Sequence, residues 1–184
     1  MKVLVVGFDP SMTNWGIAKG NLDLTTGFLN DLHLTLIEPE KLTGKQVRQN
    51  STDLYVAKQL AETALKEVQG AKFVFVEIPV GSQSARAMAS YGMCVGILGV
   101  FQAQGIPLIE VTATEVKQAI SGKRIATKRE MIDAAAALYP DADFPRHKGK
   151  IIDKAEHLAD AIGAIHAGVQ TQMFMNAIRL LNSI

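Results

Sequence analysis

Hydrophobic and polar positions fall into blocks whose period changes along the chain. Residues 3–6, Val-Leu-Val-Val, form an unbroken, β-branched-rich run with the character of a buried strand. The Pro/Ser/Thr/Asn/Gly cluster behind it reads as a turn, and Gly16-Ile17-Ala18 as the returning strand of a hairpin. The pattern as a whole predicts strands over 2–9, 14–20 and 31–38, a helix over 46–69, a strand over 72–78 and a helix over 83–104. A strand over 106–110, helices over 112–121 and 127–138, a helix from 151 and a last one over 171–182 complete it. Leu54, Leu60, Ala61, Ala64, Leu65 and Val68 repeat at helical spacing, with Gly70 placed as a C-cap. Thr112 with Glu115, and Thr127 with Glu130, carry capping-box spacing. Strands in hairpin order followed by strands alternating with helices predict an α/β domain, a mixed sheet covered by helices. Pro140 to Lys150 is the most loop-like stretch and is expected to be mobile.

A length of 184 residues fits one domain with at most a small appendage. The expected division is 1–170 for the main domain and 171–184 for a helical extension that either packs back or meets a partner. The single cysteine, Cys94, excludes an intramolecular disulfide and reads as a buried structural thiol in a reducing compartment. No apolar run approaches the ~18 residues of a membrane span, and no secretory signal is visible. A cytoplasmic location is expected, in a bacterial cell or in a host cell if the source is viral. Met88, Met93, Met173 and Met175 are expected to pack inside, Trp15 to fill the core edge, and His33 and His147 to lie at the surface. His166 is expected near any site without a required role.

Net charge is +1, which names no partner. Its distribution says more, because Lys117, Lys123, Arg124, Lys128 and Arg129 face the single acid Glu130. Arg146, Lys148, Lys150 and Lys154 bracket Asp153. Two readings stay open: solvated helix ends, or a local face for a polyanion.

Asp9 ends the first apolar run and Glu77 ends Phe73-Val74-Phe75-Val76 in the same way. A lone strand-end Asp before Pro-Ser is either a turn former or a ligand. On the helix from 151, Ile151, Leu158, Ile162, Ile165 and Val169 make the core stripe, and Asp153, Glu156, His157 and Asp160 lie opposite. That polar face is either solvent-facing or part of a site with Asp9 and Glu77. Carboxylates converging with one imidazole would repel without a cation and suit Mg²⁺ or Mn²⁺. Two such ions would stabilise the attacking water and the leaving oxygen of a phosphodiester, with the basic segments holding the phosphate backbone.

Gly7-Phe8-Asp9-Pro10-Ser11 with Gly16-Ile17-Ala18 resembles the first motif of RuvC-type Holliday junction resolvases, of the ribonuclease H-like superfamily. Phe75-Val76-Glu77 and the small-residue stretch from Ser84 to Gly99 resemble the second. Val111 to Lys117, then Gly122 and Ala126-Thr127-Lys128, is similar to the segment with two DNA-contacting lysines. His157-Leu158-Ala159-Asp160-Ala161, with Ala164 and His166, resembles the closing helix. The resemblance spans residues 2–168.

It implies a ribonuclease H-like mixed sheet, three antiparallel strands then parallel ones, with helices on both faces. Asp9, Glu77, His157 and Asp160 become the catalytic metal ligands, with Glu156 competing for a place. Mg²⁺ is implied as cofactor, two ions per site, with Mn²⁺ as a substitute. Lys117 and Lys128 would contact phosphate, and Lys123, Arg124, Ser82 and Arg86 complete the implied DNA-binding set. The implied function is a homodimeric endonuclease that resolves four-way DNA junctions by symmetric phosphodiester hydrolysis in recombination, repair or replication. The loop Ile78 to Gln83 lacks the aromatic that stacks at the junction in some members. The basic loop 146–150 and the helix after 170 are additions, which points to a wider range of branched DNA, flaps or forks. Rival readings are a non-catalytic junction-binding protein and an actin-like ATP-binding domain, for which the chain looks too short.

Overall fold

The computed structural model describes residues 1–44 and 48–181. A five-stranded sheet in the order β3-β2-β1-β4-β5 forms its centre. β1 (Lys2–Asp9), β2 (Trp15–Asp23) and β3 (Leu29–Ile37) form an antiparallel meander. β4 (Phe73–Glu77) and β5 (Leu108–Val111) continue it in parallel with β1. This is the ribonuclease H-like mixed sheet expected from the sequence.

Strand alternation assigns each side chain to a face. On β1, Val5 belongs to one hydrophobic cluster and Val6 and Phe8 to the other. On β4, Phe73 and Phe75 join the cluster of Val5, while Val74 and Val76 join that of Phe8. The second face is covered by α1 (Gln49–Glu67) and α2 (Ala85–Ala103), whose Leu60 and Phe101 pack with Phe8 and Trp15. The first face is covered by α3 (Ala113–Ser121), α4 (Lys128–Leu138) and α5 (Glu156–Gly168). Burial on both faces explains why the strands read as continuous apolar runs rather than alternating ones.

Both capping boxes form: the Thr112 and Thr127 side chains accept from the backbone of Glu115 and Glu130, and those glutamates reach back. No helix among the described residues is long and apolar enough to cross a membrane.

The helix predicted from 151 begins at Glu156 instead. Ile151 belongs to a short hairpin of β6 (Arg146–His147) and β7 (Lys150–Ile151), followed by a 3-10 turn over Asp153–Ala155. Lys148 and Gly149, both with positive φ, make the two-residue turn of that hairpin. The stretch expected to be a mobile loop is thus partly folded, and Phe144 within it is buried. The helix predicted over 46–69 spans 49–67, and 45–47 lie outside the described residues.

α6 (Gln172–Leu181) packs back through Phe174, whose ring centroid lies 5.1 Å from Phe73 and 5.4 Å from Phe75. Of the four methionines expected inside, Met93 packs against the core, while Met88, Met173 and Met175 are exposed. Met88 nevertheless accepts from the Ser82 backbone through its sulfur at 3.0 Å. Trp15 is fully buried, and Cys94 is a buried free thiol whose pKa burial and the charge of Asp9 push up to about 12.

Candidate active site

The same alternation that sorts the core sorts the acids. Asp9 follows Val5 and Gly7 at period two, and Glu77 follows Phe73 and Phe75, so both carboxylates belong to the face covered by α5. The parallel register pairs Phe8 with Val76, which sets Asp9 and Glu77 beside each other one step further along.

α5 lies unusually close to that face. A Cβ built on Gly7 would sit 2.1 Å from the Ala161 carbonyl oxygen, and one on Gly16 would sit 2.0 Å from that of His157. Only hydrogen at these two positions lets the helix backbone touch the sheet. His157 and Ala161, four residues and one turn apart, therefore rest on β2 and β1 respectively. The polar face read from the sequence is turned into the molecule, not toward solvent, because the core stripe continues around most of α5. Asp153 falls outside this face, in the 3-10 turn, and is exposed.

His157 Nδ1 and Asp9 Oδ2 are 2.6 Å apart, and His157 Nε2 lies 3.7 Å from Glu156 Oε1. Burial opposes the charged imidazole, but the Asp9 hydrogen bond and the charges of Asp9, Glu156 and Asp160 outweigh it and raise the pKa. Burial, with Asp9, Glu77 and Glu156 adding repulsion, pushes Asp160 up to about 8. Burial and Asp9 push Glu77 up to about 7, partly offset by the ammonium of Lys117. Asp160 Oδ1 and Glu156 Oε2 are buried without a hydrogen-bond partner. Such groups are costly unless something arrives to use them.

The donor chemistry fits a hard divalent cation: carboxylate oxygens from Asp9, Glu77 and Asp160, one imidazole, and an orphaned oxygen on Asp160. Among the described residues no group of three or more His, Cys, Asp or Glu is already arranged to hold a metal ion. Asp9 here turns onto His157.

Of the basic residues in the implied DNA-binding set, Lys117 and Lys128 act on the site acids, and Lys123 and Arg86 are held by acids elsewhere. Lys128, at the first turn of α4, donates to Glu156 Oε1 at 2.5 Å, so Glu156 carries an ion pair that sequence reasoning did not foresee. The partners are 28 positions apart, beyond any local signal. Lys123 pairs with Glu130, and Arg124 is exposed in the same loop. Ser82 lies between Glu77 and α2, its hydroxyl accepting from the Ser84 backbone. The guanidinium of Arg86 forks onto Asp53 at 2.6 and 2.7 Å, with Gln49 also donating to Asp53. That bidentate pair joins α1 to α2.

His166 is not at this site. It sits at the other end of α5, where Tyr139 Oη lies 2.6 Å from its Nε2 and also accepts from the Leu29 backbone. Burial lowers its pKa to about 4, so it is a neutral structural histidine.

No protein-family model matches the chain, and no curated protein matches its sequence. Solved structures do match. Thermus thermophilus RuvC in complex with a Holliday junction substrate superposes with a TM-score of 0.65 at 19% identity, covering 96% of both chains. A second Thermus thermophilus RuvC structure gives 0.58 at 20% identity, also with 96% of each chain covered. Fowlpox virus resolvase with substrate Holliday junction DNA gives 0.51 at 15% identity, covering 95% of this chain and 98% of that one. The chain therefore has the ribonuclease H-like fold that RuvC and the fowlpox virus resolvase also have, along nearly its whole length.

Proposed function

We propose that this chain is a Mg²⁺-dependent endonuclease, with Mn²⁺ able to substitute, that resolves four-way DNA junctions by symmetric phosphodiester hydrolysis. The observation that carries this reading is the convergence of Asp9, Glu77, His157 and Asp160 from two strands and one helix at one end of the sheet. Their mutual repulsion and the orphaned Asp160 oxygen favour a cation-binding role over a structural one.

In this reading Asp9, Glu77, His157 and Asp160 hold the metal, two ions per site. Bound divalent cations would polarise a phosphodiester and stabilise charge on its leaving oxygen. Lys117, near enough to Glu77 to act on its charge, would bind a phosphate brought to that carboxylate. Lys128, Lys123 and Arg124 would hold the phosphate backbone, together with Ser82 and the exposed part of Arg86 beyond its pair with Asp53. Salt bridges within the chain do not remove the exposed ammonium groups of Lys123 and Lys128 from this work, since both side chains are more than half exposed.

Two opposed strands require two sites, hence a homodimer. The outer face of α2 suits an isologous interface, because Ala89, Gly92, Val95, Gly96, Gly99 and Val100 are all exposed on it without a charge among them.

The test is cleavage of four-way junction, flap and plain duplex substrates with Mg²⁺ or Mn²⁺. Paired symmetric nicks in the junction, abolished by chelation and by Asp9→Asn while junction binding survives, are expected. Equal cutting of plain duplex would refute junction resolution, and wild-type turnover by Asp9→Asn would refute the site.

A further inference from the structure

Ile125 is 90% exposed, more than any other large apolar side chain among the described residues. A single exposed isoleucine is ordinary on a protein surface. This one stands at the tip of a short loop between α3 and α4 that is fixed at both ends. On the α3 side, Gln118 Nε2 donates to the Gly122 carbonyl at 3.0 Å, and Ser121 Oγ accepts from the Lys123 backbone at 3.2 Å. On the α4 side, Ala126 is buried and Thr127 closes its capping box with Glu130. The Lys123 ammonium pairs with the same Glu130 and ties one side to the other. The isoleucine is thus held out by a braced loop rather than carried on a floppy one.

Its surroundings select its occupant. Lys123 and Arg124 precede it and Lys128 and Arg129 follow it. Lys123, Lys128 and Arg129 pair with Glu130, Glu156 and Asp133, yet each of the three side chains stays more than half exposed, and Arg124 is exposed as well. Lys128 leads directly to Glu156, the neighbour of His157. A protein partner or a lipid tail would gain little from exposed basic side chains flanking one apolar residue in the same loop and helix start. A nucleic acid gains from both, its phosphates from the cations and any unstacked base face from the isoleucine.

We infer that Ile125 is a wedge that contacts unstacked bases at the branch point of the DNA and so favours branched over continuous duplex. This rests on the endonuclease reading above. A continuous duplex exposes no base face until stacking is broken, whereas a branch point offers faces already freed. The rigid loop adds selectivity because little ordering is left to do on binding.

The experiment places 2-aminopurine either at the branch point or well out in one arm of a four-way junction, and reads its fluorescence. Asp9→Asn protein is used so that the DNA stays intact. Binding is expected to raise the branch-point signal and leave the arm signal unchanged. Adding Ile125→Ala should reduce that rise at least about threefold with duplex affinity changed less than about twofold, and Ile125→Leu should preserve it. A full rise with Ile125→Ala, or equal weakening on junction and duplex, would overturn the wedge. Loss of the rise in both Ile125 variants would overturn it too, since apolar shape would then not be the cause. If the Asp9→Asn protein binds no junction at all, the endonuclease reading fails and the wedge with it; every other negative result strikes the wedge alone.

Discussion

His157 Nδ1 meets Asp9 Oδ2 at 2.6 Å, joining the first strand of the chain to its fifth helix across 148 positions. The contact holds the imidazole where its other nitrogen faces Glu156, 3.7 Å away. Lys128 takes up the charge of Glu156 from one side, and the imidazole lies among Asp9, Glu156 and Asp160 on the other. That is why its pKa rises despite burial. A divalent ion would take over the same role with more charge, and Asp9 would exchange a histidine for a metal.

Stability of the metal-free protein should fall as pH rises from 5 to 8.5. Glu77 and Asp160 have folded pKa values raised to about 7 and about 8, above their ordinary 4.5 and 3.8. The folded state then binds more protons than the unfolded chain between those values, so stability drops as pH climbs through that window. His157 acts in the same direction: its raised pKa favours the fold below its ordinary 6.5, and that contribution is lost as pH passes the folded value. Thermal melts with and without Mn²⁺ check this. The metal should raise Tm more at pH 8 than at pH 5, and Glu77→Gln with Asp160→Asn should flatten the metal-free slope.

The strands and both acids were legible because a run buried on two faces is continuous in sequence and a carboxylate at its end breaks the pattern. Thr112 and Thr127 announced their helices through local spacing alone. The start of α5 was not legible, since Ile151 fits a helical stripe as well as it fits the hairpin it occupies. Nor did any local pattern reveal that Glu156 belongs to Lys128 or Asp53 to Arg86, both pairs set by how distant helices pack. The polar face of α5 was visible, but whether it met water or Asp9 depended on Gly7 and Gly16, whose role is only apparent once the helix lies on them.

Glu156 and His157 can be separated by substitution. Glu156 is paired with Lys128, whereas His157 is held by Asp9. Glu156→Gln should cost no more than about 10–100-fold in turnover, the range of an outer supporting group. His157→Ala should cost more than about a hundredfold. Junction-cleavage rates under saturating Mg²⁺ measure both, and the opposite ranking would make Glu156 the ligand. Lys128→Ala should also reduce the salt slope of junction binding by about one unit if its ammonium reaches a phosphate.

Gly16→Ala is expected to damage the site from outside it. The new methyl carbon would lie 2.0 Å from a backbone oxygen of His157, and a backbone atom cannot swing away as a flexible side-chain end does. α5 must lift from β2, carrying His157 from Asp9. Overpacking of this kind costs about 1–3 kcal/mol, and a displacement of about 1 Å at reacting groups costs about a hundredfold in rate. Denaturant titration and cleavage kinetics read the two effects. Junction binding should persist, because Lys123, Arg124 and Ile125 are held by α3 and α4.

The last helix can be tested as part of the core or as an extension. Phe174 is buried against Phe73 and Phe75, and its backbone N–H is accepted by Thr171 Oγ1 at 3.2 Å, which starts the helix. Phe174→Ala removes a large buried ring and should destabilise the protein by about 3–5 kcal/mol. Met173→Ala, one residue earlier but 62% exposed, should shift stability by no more than about 0.5 kcal/mol. Denaturant midpoints for the two variants give the answer. A large loss for Phe174 alone means that the sheet needs α6 to cover Phe73, so a domain ending at 170 would not be stable. Near-equal small effects would make the helix an appendage after all, with its exposed Met173, Met175, Leu180 and Leu181 the more significant side.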